Sequence, residues 1–244
     1  MSKVIVITGA GSGLGRSLAR WFAADGNRVV LLGRTLSKLE AVAKELGDGA
    51  MVVACDISKP DEVRAAFVAI AARHPVIDVL INNAAIIDFS TLAAASDQHI
   101  LGIVGANLTG TLLCSRAALA MMAKGGHIIN VSSGSVDARD PHLVVYQATK
   151  GAIEVMSRHL QDEVESRGIR VTLVRAGPMY DEDMEPKGNP EGARAFRVAC
   201  LERGIDLAKR PISYFNSVIW VFRSLIDMPA DMHVGTVCFT SRRD

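Results

Sequence analysis

Apolar residues along this chain fall into short β-branched runs separated by stretches of helical period. The first run, Val4-Ile5-Val6-Ile7, is unbroken, which reads as a strand buried on both faces, as in parallel sheets. Leu14, Leu18, Trp21 and Phe22 then recur at helical spacing, and Asp25-Gly26-Asn27 stops the helix. The alternation continues to the end of the chain. Residues 28–32, 51–55, 79–81, 127–131, 170–175 and 234–240 read as strands. Helices are predicted over 38–46 (capped by Ser37 and ended by Gly47), behind a Ser58 cap, over 97–124, over 144–166 and over 213–226. Strands alternating with helices imply βαβ units. The expected fold class is therefore α/β: a doubly wound, Rossmann-like parallel sheet with helices on both faces. No linker, composition shift or repeat divides the chain, so residues 1–244 are expected to form one domain, with the charged, proline-bearing stretch 177–211 as a substrate-loop segment.

Between the first strand and its helix four glycines fall within seven residues, in Gly9-Ala10-Gly11-Ser12-Gly13-Leu14-Gly15. Strand, glycine turn and helix start together make a pyrophosphate cradle. Glycine lets the backbone approach the phosphates, and the open N–H groups of the helix start favour negative charge. The fingerprint G-x-G-x-x-G fits from neither Gly9 nor Gly11; the spacing present is Gly9-x-x-x-Gly13-x-Gly15. Gly9, Gly11, Ser12, Gly13, Leu14 and Gly15 are the candidate phosphate contacts.

Composition narrows the picture. Among 244 residues, 27 basic and 26 acidic side chains leave a net charge of +1, so no long-range field favours nucleic acid or an anionic membrane. No apolar run approaches the roughly 20 residues that span a bilayer. Met1-Ser2-Lys3 leads straight into the first strand, so no signal peptide is expected and the cytoplasm is the expected location. The four cysteines form no C-x-x-C and read as buried free thiols, and the six histidines form no close pair; no metal site is expected.

Of the three tyrosines, only Tyr146 has a lysine, Lys150, four positions on. One helical turn brings both side chains to one site, where an ammonium lowers a phenol's pKa towards that of a useful acid or base. Tyr146 lies thirteen residues beyond Ser132-Ser133 at the end of the fifth strand. The glycine turn, Asn82-Asn83-Ala84-Ala85, Ser132-Ser133 and Tyr146-x-x-x-Lys150, in this order, resemble the short-chain dehydrogenase/reductase family over residues 3–178. The resemblance implies hydride transfer between a nicotinamide and a carbonyl or carbinol carbon. By position, Tyr146 matches the catalytic acid/base. Lys150 matches the lysine that binds the nicotinamide ribose and lowers the tyrosine pKa. Ser133 matches the serine that holds the substrate carbonyl, and Asn107 the asparagine of the family's proton relay. Asp56 matches the adenine contact, with Ile57 beside it; Asn83, Ala84 and Ala85 match the segment lining the nucleotide; Gly177 and Met179 match the loop that closes on it. Ser132 fits less well and reads as a strand end bonded to backbone. Asn107 alone would read as a local bond to helix backbone.

The chain also departs from the pattern. Ala176 stands where proline is usual and Asp181 where threonine is expected, and the acidic run Asp181, Glu182, Asp183 and Glu185 reads as a solvated lid surface. NAD users carry an acidic residue at the end of the second strand. Gly33 and Arg34 stand there, and a guanidinium suits a 2′-phosphate; NADP is the expected cofactor, with Ser12 and Arg16 assisting. Ser135, Val136, His142, Met179 and Tyr180 are candidate pocket residues for a small or medium hydrophobic carbonyl or alcohol. Apolar residues cover more than one stripe of the helices over 97–124 and 144–166, so a homodimer or homotetramer built through them is expected. Two competing functions remain. A regulatory protein could bind the cofactor on the same fold without turnover; intact Ser133, Tyr146 and Lys150 argue against it. An epimerase or dehydratase of the extended relatives is disfavoured by the short chain and the glycine spacing.

Overall fold

The computed structural model describes residues 2–180, 188–229 and 231–242. Strands β1 (Val4–Thr8), β2 (Arg28–Gly33), β3 (Ala50–Ala54), β4 (Val79–Asn82), β5 (His127–Ser133) and β6 (Arg170–Ala176) build the sheet. β7 (Met179–Tyr180) and β8 (Ser213–Tyr214) pair separately, and β9 (Thr236–Phe239) joins the main sheet beside β6. The main sheet is parallel throughout, in the order β3-β2-β1-β4-β5-β6-β9. Strand order reverses between β1 and β4, and in such sheets the crevice beyond the carboxyl ends at that reversal is where ligands bind.

The helices are α1 (Gly13–Ala24), α2 (Leu36–Leu46), α3 (Pro60–Arg73), α4 (Asp97–Val104), α5 (Gly110–Leu119), α6 (Val144–Val164), α7 (Pro190–Glu202) and α8 (Phe215–Asp227). β1 divides its side chains by strand period. Ile5 and Ile7 join a core with Leu18 and Phe22 of α1 and Phe222 of α8. Val4 and Val6 join a second core with Phe67 and Ile70 of α3 and Cys114 and Ala118 of α5. Burial on both faces is what the unbroken first run predicted. Cys55, Cys114 and Cys200 are buried thiols, but Cys238 is exposed.

Several boundaries differ from expectation. α2 starts at Leu36 behind Thr35, so Ser37 lies inside its first turn rather than capping it. Ser58 donates its hydroxyl to Asp56 Oδ1 (2.8 Å) instead of capping α3, which Lys59 precedes with Pro60 in the first turn. The helix over 97–124 ends at Leu119 and is interrupted by a π turn, Gly105–Thr109. Asp97–Leu119 is long and apolar enough to cross a membrane by length and composition alone; here its Ile103, Ala106, Asn107, Cys114 and Ala118 are packed into the interior. Within 177–211 a 13-residue helix, α7, was not expected.

Candidate active site

The carboxyl end of β1 is built to bring backbone close to a ligand. Thr8 Oγ1 accepts the amides of Asn83 and Ala84, each at 3.0 Å, and Asn83 Nδ2 donates to Thr8 O at 3.0 Å. Asn83 is thereby a brace between β4 and the glycine turn. Gly9 (φ +70) and Gly13 (φ +53) adopt the left-handed conformation that favours glycine. A Cβ on Gly15 would stand 2.3 Å from Gly9 O, so the third glycine is required by close packing of helix on turn. Ser12 precedes α1 with extended backbone and makes no side-chain cap bond, and no acidic residue lies in the first turn. Leu14 is buried, leaving only its backbone to face the turn. Uncapped amides, a favourable dipole and no blocking Cβ fit a pyrophosphate. Gly11 packs towards Lys38.

Further along this edge, Arg34 is exposed at the end of β2. Burial alone would raise the Asp56 carboxyl. The Ser58 hydroxyl and amide, with the charges of Arg34 and Lys59, outweigh that and hold it below the ordinary value. Arg34 and Asp56 therefore border the same end of the crevice. Ile57 is buried against Gly110, where a Cβ would meet Ile57 Cγ1 at 2.6 Å; its side chain packs the core, so only its backbone remains for a ligand. Ala85 is exposed. Gly177 is buried at the end of β6 and donates its amide to Phe239 O at 3.0 Å. Ala176 is the last residue of β6, in register with Ser133 of β5 and Phe239 of β9. Asp181, Glu182, Asp183 and Glu185 lie outside the described residues.

Ser133, Tyr146 and Lys150 converge at the carboxyl end of β5. The Ser133 hydroxyl lies near enough to the Tyr146 phenol to act on its proton, and Ser133 Oγ accepts the Ser135 amide at 3.2 Å. Lys150 is buried; its Nζ donates to Val131 O at 2.8 Å and lies 5.8 Å from the Tyr146 ring centroid. Burial pushes the Tyr146 phenol above its ordinary value, and the Ser133 hydroxyl opposes this. Burial dominates the phenol in this state, and the Lys150 ammonium is engaged on the β5 backbone.

Asn107 sits in the π turn, an irregularity common at functional positions. Its Oδ1 accepts the Ile86 amide (2.7 Å), and its Nδ2 donates to Ile86 O (3.0 Å) and Thr149 Oγ1 (3.1 Å). Thr149 Oγ1 donates in turn to Tyr146 O at 2.7 Å. Asn107 therefore clamps the loop after β4 to the turn of α6 that carries Tyr146, and its side chain makes more than a local helix bond. Ser132 Oγ points away from this constellation, 3.2 Å from Lys150 O and 2.9 Å from Glu154 Oε1.

A cavity of about 790 Å³ lies beside the loop that Asn107 holds, bounded by Ile86, Phe89, His99, Ile103, His142 and Asn189 among others. Only His142 of the five expected pocket residues lines it, from a left-handed backbone (φ 58) that is strained for a histidine. Ser135 instead offers its carbonyl to Gln147 (2.8 Å), Val136 lies nearest Gly151, Met179 packs on the sheet core and Tyr180 is exposed. The far wall is α7, fastened by Asp88 Oδ1, which accepts from Asn189 N (2.9 Å) and Nδ2 (2.8 Å). Asn189-Pro190 is a helix-start signal that could have located α7 in the sequence. Ile86, Thr149 and Asp88 carried no sequence signal of their own. Among the described residues no cluster of His, Cys, Asp and Glu could hold a metal.

A doubly wound sheet with an uncapped glycine turn at its strand-order reversal, and a serine, tyrosine and lysine gathered two strands away, defines a nucleotide-dependent oxidoreductase class of site. The short chain dehydrogenase family model matches residues 3–191, and the chain belongs to that family, whose members are oxidoreductases using a nicotinamide cofactor on small molecules. Carbonyl reductase family member 4 of Danio rerio is 33% identical over 184 residues, covering 75% of this chain and 78% of its own. A serine dehydrogenase complexed with NADP+ superposes with a TM-score of 0.84 at 23% identity, covering 97% of this chain and 94% of its own, a likeness of fold alone. The 3-ketoacyl-(acyl-carrier-protein) reductase of Brucella melitensis, complexed with NADH, gives a TM-score of 0.79 at 27% identity, covering 98% of this chain and 96% of its own.

Proposed function

We propose that the protein is an NADP(H)-dependent oxidoreductase interconverting a carbonyl compound and its alcohol, with Tyr146 as acid/base. The observation that carries this reading is the convergence of Ser133, Tyr146 and the buried Lys150 at the carboxyl end of β5, with Lys150 Nζ 5.8 Å from the Tyr146 ring centroid. When bound, the nicotinamide supplies or accepts the hydride. The residues of the chain do the rest. The Ser133 hydroxyl holds the substrate oxygen, and Tyr146 gives its phenolic proton to that oxygen in reduction or takes one back in oxidation. A phenol raised by burial is protonated at neutral pH, which suits donation to a carbonyl. Asn107 and Thr149 fix the turn that carries Tyr146.

Arg34 at the end of β2, with no acidic residue beside it on that strand end, supports NADP(H) over NAD(H). The 790 Å³ cavity beside the loop after β4 is not itself lined by Ser133, Tyr146 or Lys150; a small or medium substrate reaching from it to Ser133 would lay its apolar body against Ile86, Phe89 and Ile103. His99, His142 and Asn189 add polar positions, so a carbonyl compound with a further hydrogen-bonding group fits better than a plain hydrocarbon ketone. Oxidation of NADPH and NADH by a panel of aldehydes and ketones, at matched concentrations, tests the reading. Turnover with NADPH preferred is expected. A chain that binds NADPH but reduces no member of the panel would instead favour the regulatory reading.

A further inference from the structure

Behind Lys150 lies an ion pair that the reaction does not use directly. Glu154 follows Lys150 by one helical turn on α6, and its carboxylate is only 8% exposed. Arg175 on β6 meets it with a two-pronged grip: Nε donates to Oε1 at 2.8 Å and Nη2 to Oε2. The remaining arm, Nη1, reaches Asp137. Arg175 is also the register partner of Ser132, whose hydroxyl lies 2.9 Å from Glu154 Oε1 and 3.2 Å from Lys150 O. The Arg175 guanidinium therefore joins the turn behind Lys150 to the segment following Ser133, and Glu154 carries the link on to Ser132, the strand residue preceding Ser133.

Stability alone does not account for this arrangement. A buried ion pair can often be replaced by packed apolar residues with no loss of stability, and the best-attested use of such pairs is to fix register. We propose that Glu154 and Arg175 are positioning residues that set the placement of the Ser133 hydroxyl relative to the Tyr146–Lys150 turn. They act through Ser132 and the helix backbone. The inference rests on the acid/base reading of Tyr146 above.

The three tyrosines allow a test that does not depend on turnover. In a Y180F/Y214F background, Tyr146 is the sole tyrosine, and its tyrosinate absorbance titrates it directly. E154M/R175M replaces the pair with apolar groups of similar length, and far-ultraviolet circular dichroism checks that the chain folds. Because the Ser133 hydroxyl lowers the Tyr146 pKa, displacing it should raise the Tyr146 midpoint. In the otherwise native chain, kcat should fall on the order of tenfold to hundredfold, while the KM for cofactor stays within about threefold, since the glycine turn is untouched. R175K, which keeps the charge but loses the fork, should fall between. A folded double variant with unchanged Tyr146 midpoint and unchanged kcat overturns the proposal. If the native chain proves to have no turnover, the activity reading fails, yet a raised midpoint in the double variant still upholds the positioning role.

Discussion

In the NADP(H) reading proposed above, Arg34 is the residue on which cofactor choice would turn. It is exposed at the end of β2 and close enough to Asp56 for its charge to be felt there. Arg34→Ala should weaken NADPH binding by about 1.5–3 kcal/mol, the range for a hydrogen bond to a charged group, and leave NADH nearly unaffected. Gly33→Asp should reverse the preference by repelling the 2′-phosphate. Its new Cβ would meet Leu39 Cδ2 at 3.3 Å, so that buried leucine must give slightly. Fluorescence titration with both nucleotides measures each variant, and tighter NADH binding by the native chain would contradict the assignment. Residues whose role depends on local spacing were legible in the sequence: Gly9, Gly13, Gly15, Tyr146 and Lys150 announce themselves within a few positions. Ile86, Thr149, Glu154 and Arg175 did not, because their partners are distant in sequence, as with Asn107 and Thr149, which are 42 positions apart. The burial of the Tyr146 phenol and the hold of the Val131 carbonyl on Lys150 were hidden for a related reason, since both are tertiary facts.

Two elements set limits that mutation or acid should expose. The glycine turn and α1 are pressed together at Gly15, where an added Cβ would lie 2.3 Å from the Gly9 carbonyl oxygen. Backbone cannot step aside as a side-chain end can. Gly15→Ala should therefore cost about 1–3 kcal/mol, as overpacking does, and sharply weaken cofactor binding; denaturant melts and titration check both. At the opposite end of β5, burial first, then the charges of Arg170, His233 and Lys3, lower the His127 pKa from 6.5 to about 3. The folded chain keeps this imidazole neutral while the unfolded chain protonates below its ordinary value. Its contribution is thus fully present above about pH 6.5 and is lost as pH falls towards about 3. His127→Asn should flatten that part of the urea-midpoint profile; an equally steep acid fall in the variant would assign the loss elsewhere. The alternating strands and helices were legible from hydrophobic period alone. α7 and the β7–β8 pair were not, since the charged composition of 177–211 masks one apolar stripe and two-residue strands have no period to read. The π turn was equally hidden, because its geometry answers to Asn107 and its tertiary partners.

At the scale of the molecule, the helices around the site leave apolar side chains in solvent. Leu101 is 69% exposed and Leu112 47% on the α4–α5 stretch, and Val144 and Val155 on α6 are 50% and 48% exposed. Scattered apolar side chains are ordinary, but a set on adjoining helices is the kind of face that marks an interface. We expect this face to pair with a second copy, giving at least twice the 26.1 kDa chain mass by light scattering, with L112E/V155E returning it to monomer. A native monomer at micromolar concentration would refute that expectation.

The account rests above all on the proton of Tyr146. Tyr146→Phe keeps the ring and removes only the hydroxyl, so the glycine turn and Arg34 should bind NADPH as before. In a single-turnover experiment, with enzyme–NADPH complex mixed against a reducible carbonyl compound and followed at the reduced-nicotinamide absorbance, the native chain should oxidise its bound cofactor. The variant should do so slower by about 10²–10⁴-fold, the range expected for loss of a general acid. A variant that binds NADPH normally and oxidises it within tenfold of the native rate would contradict Tyr146 as the acid/base.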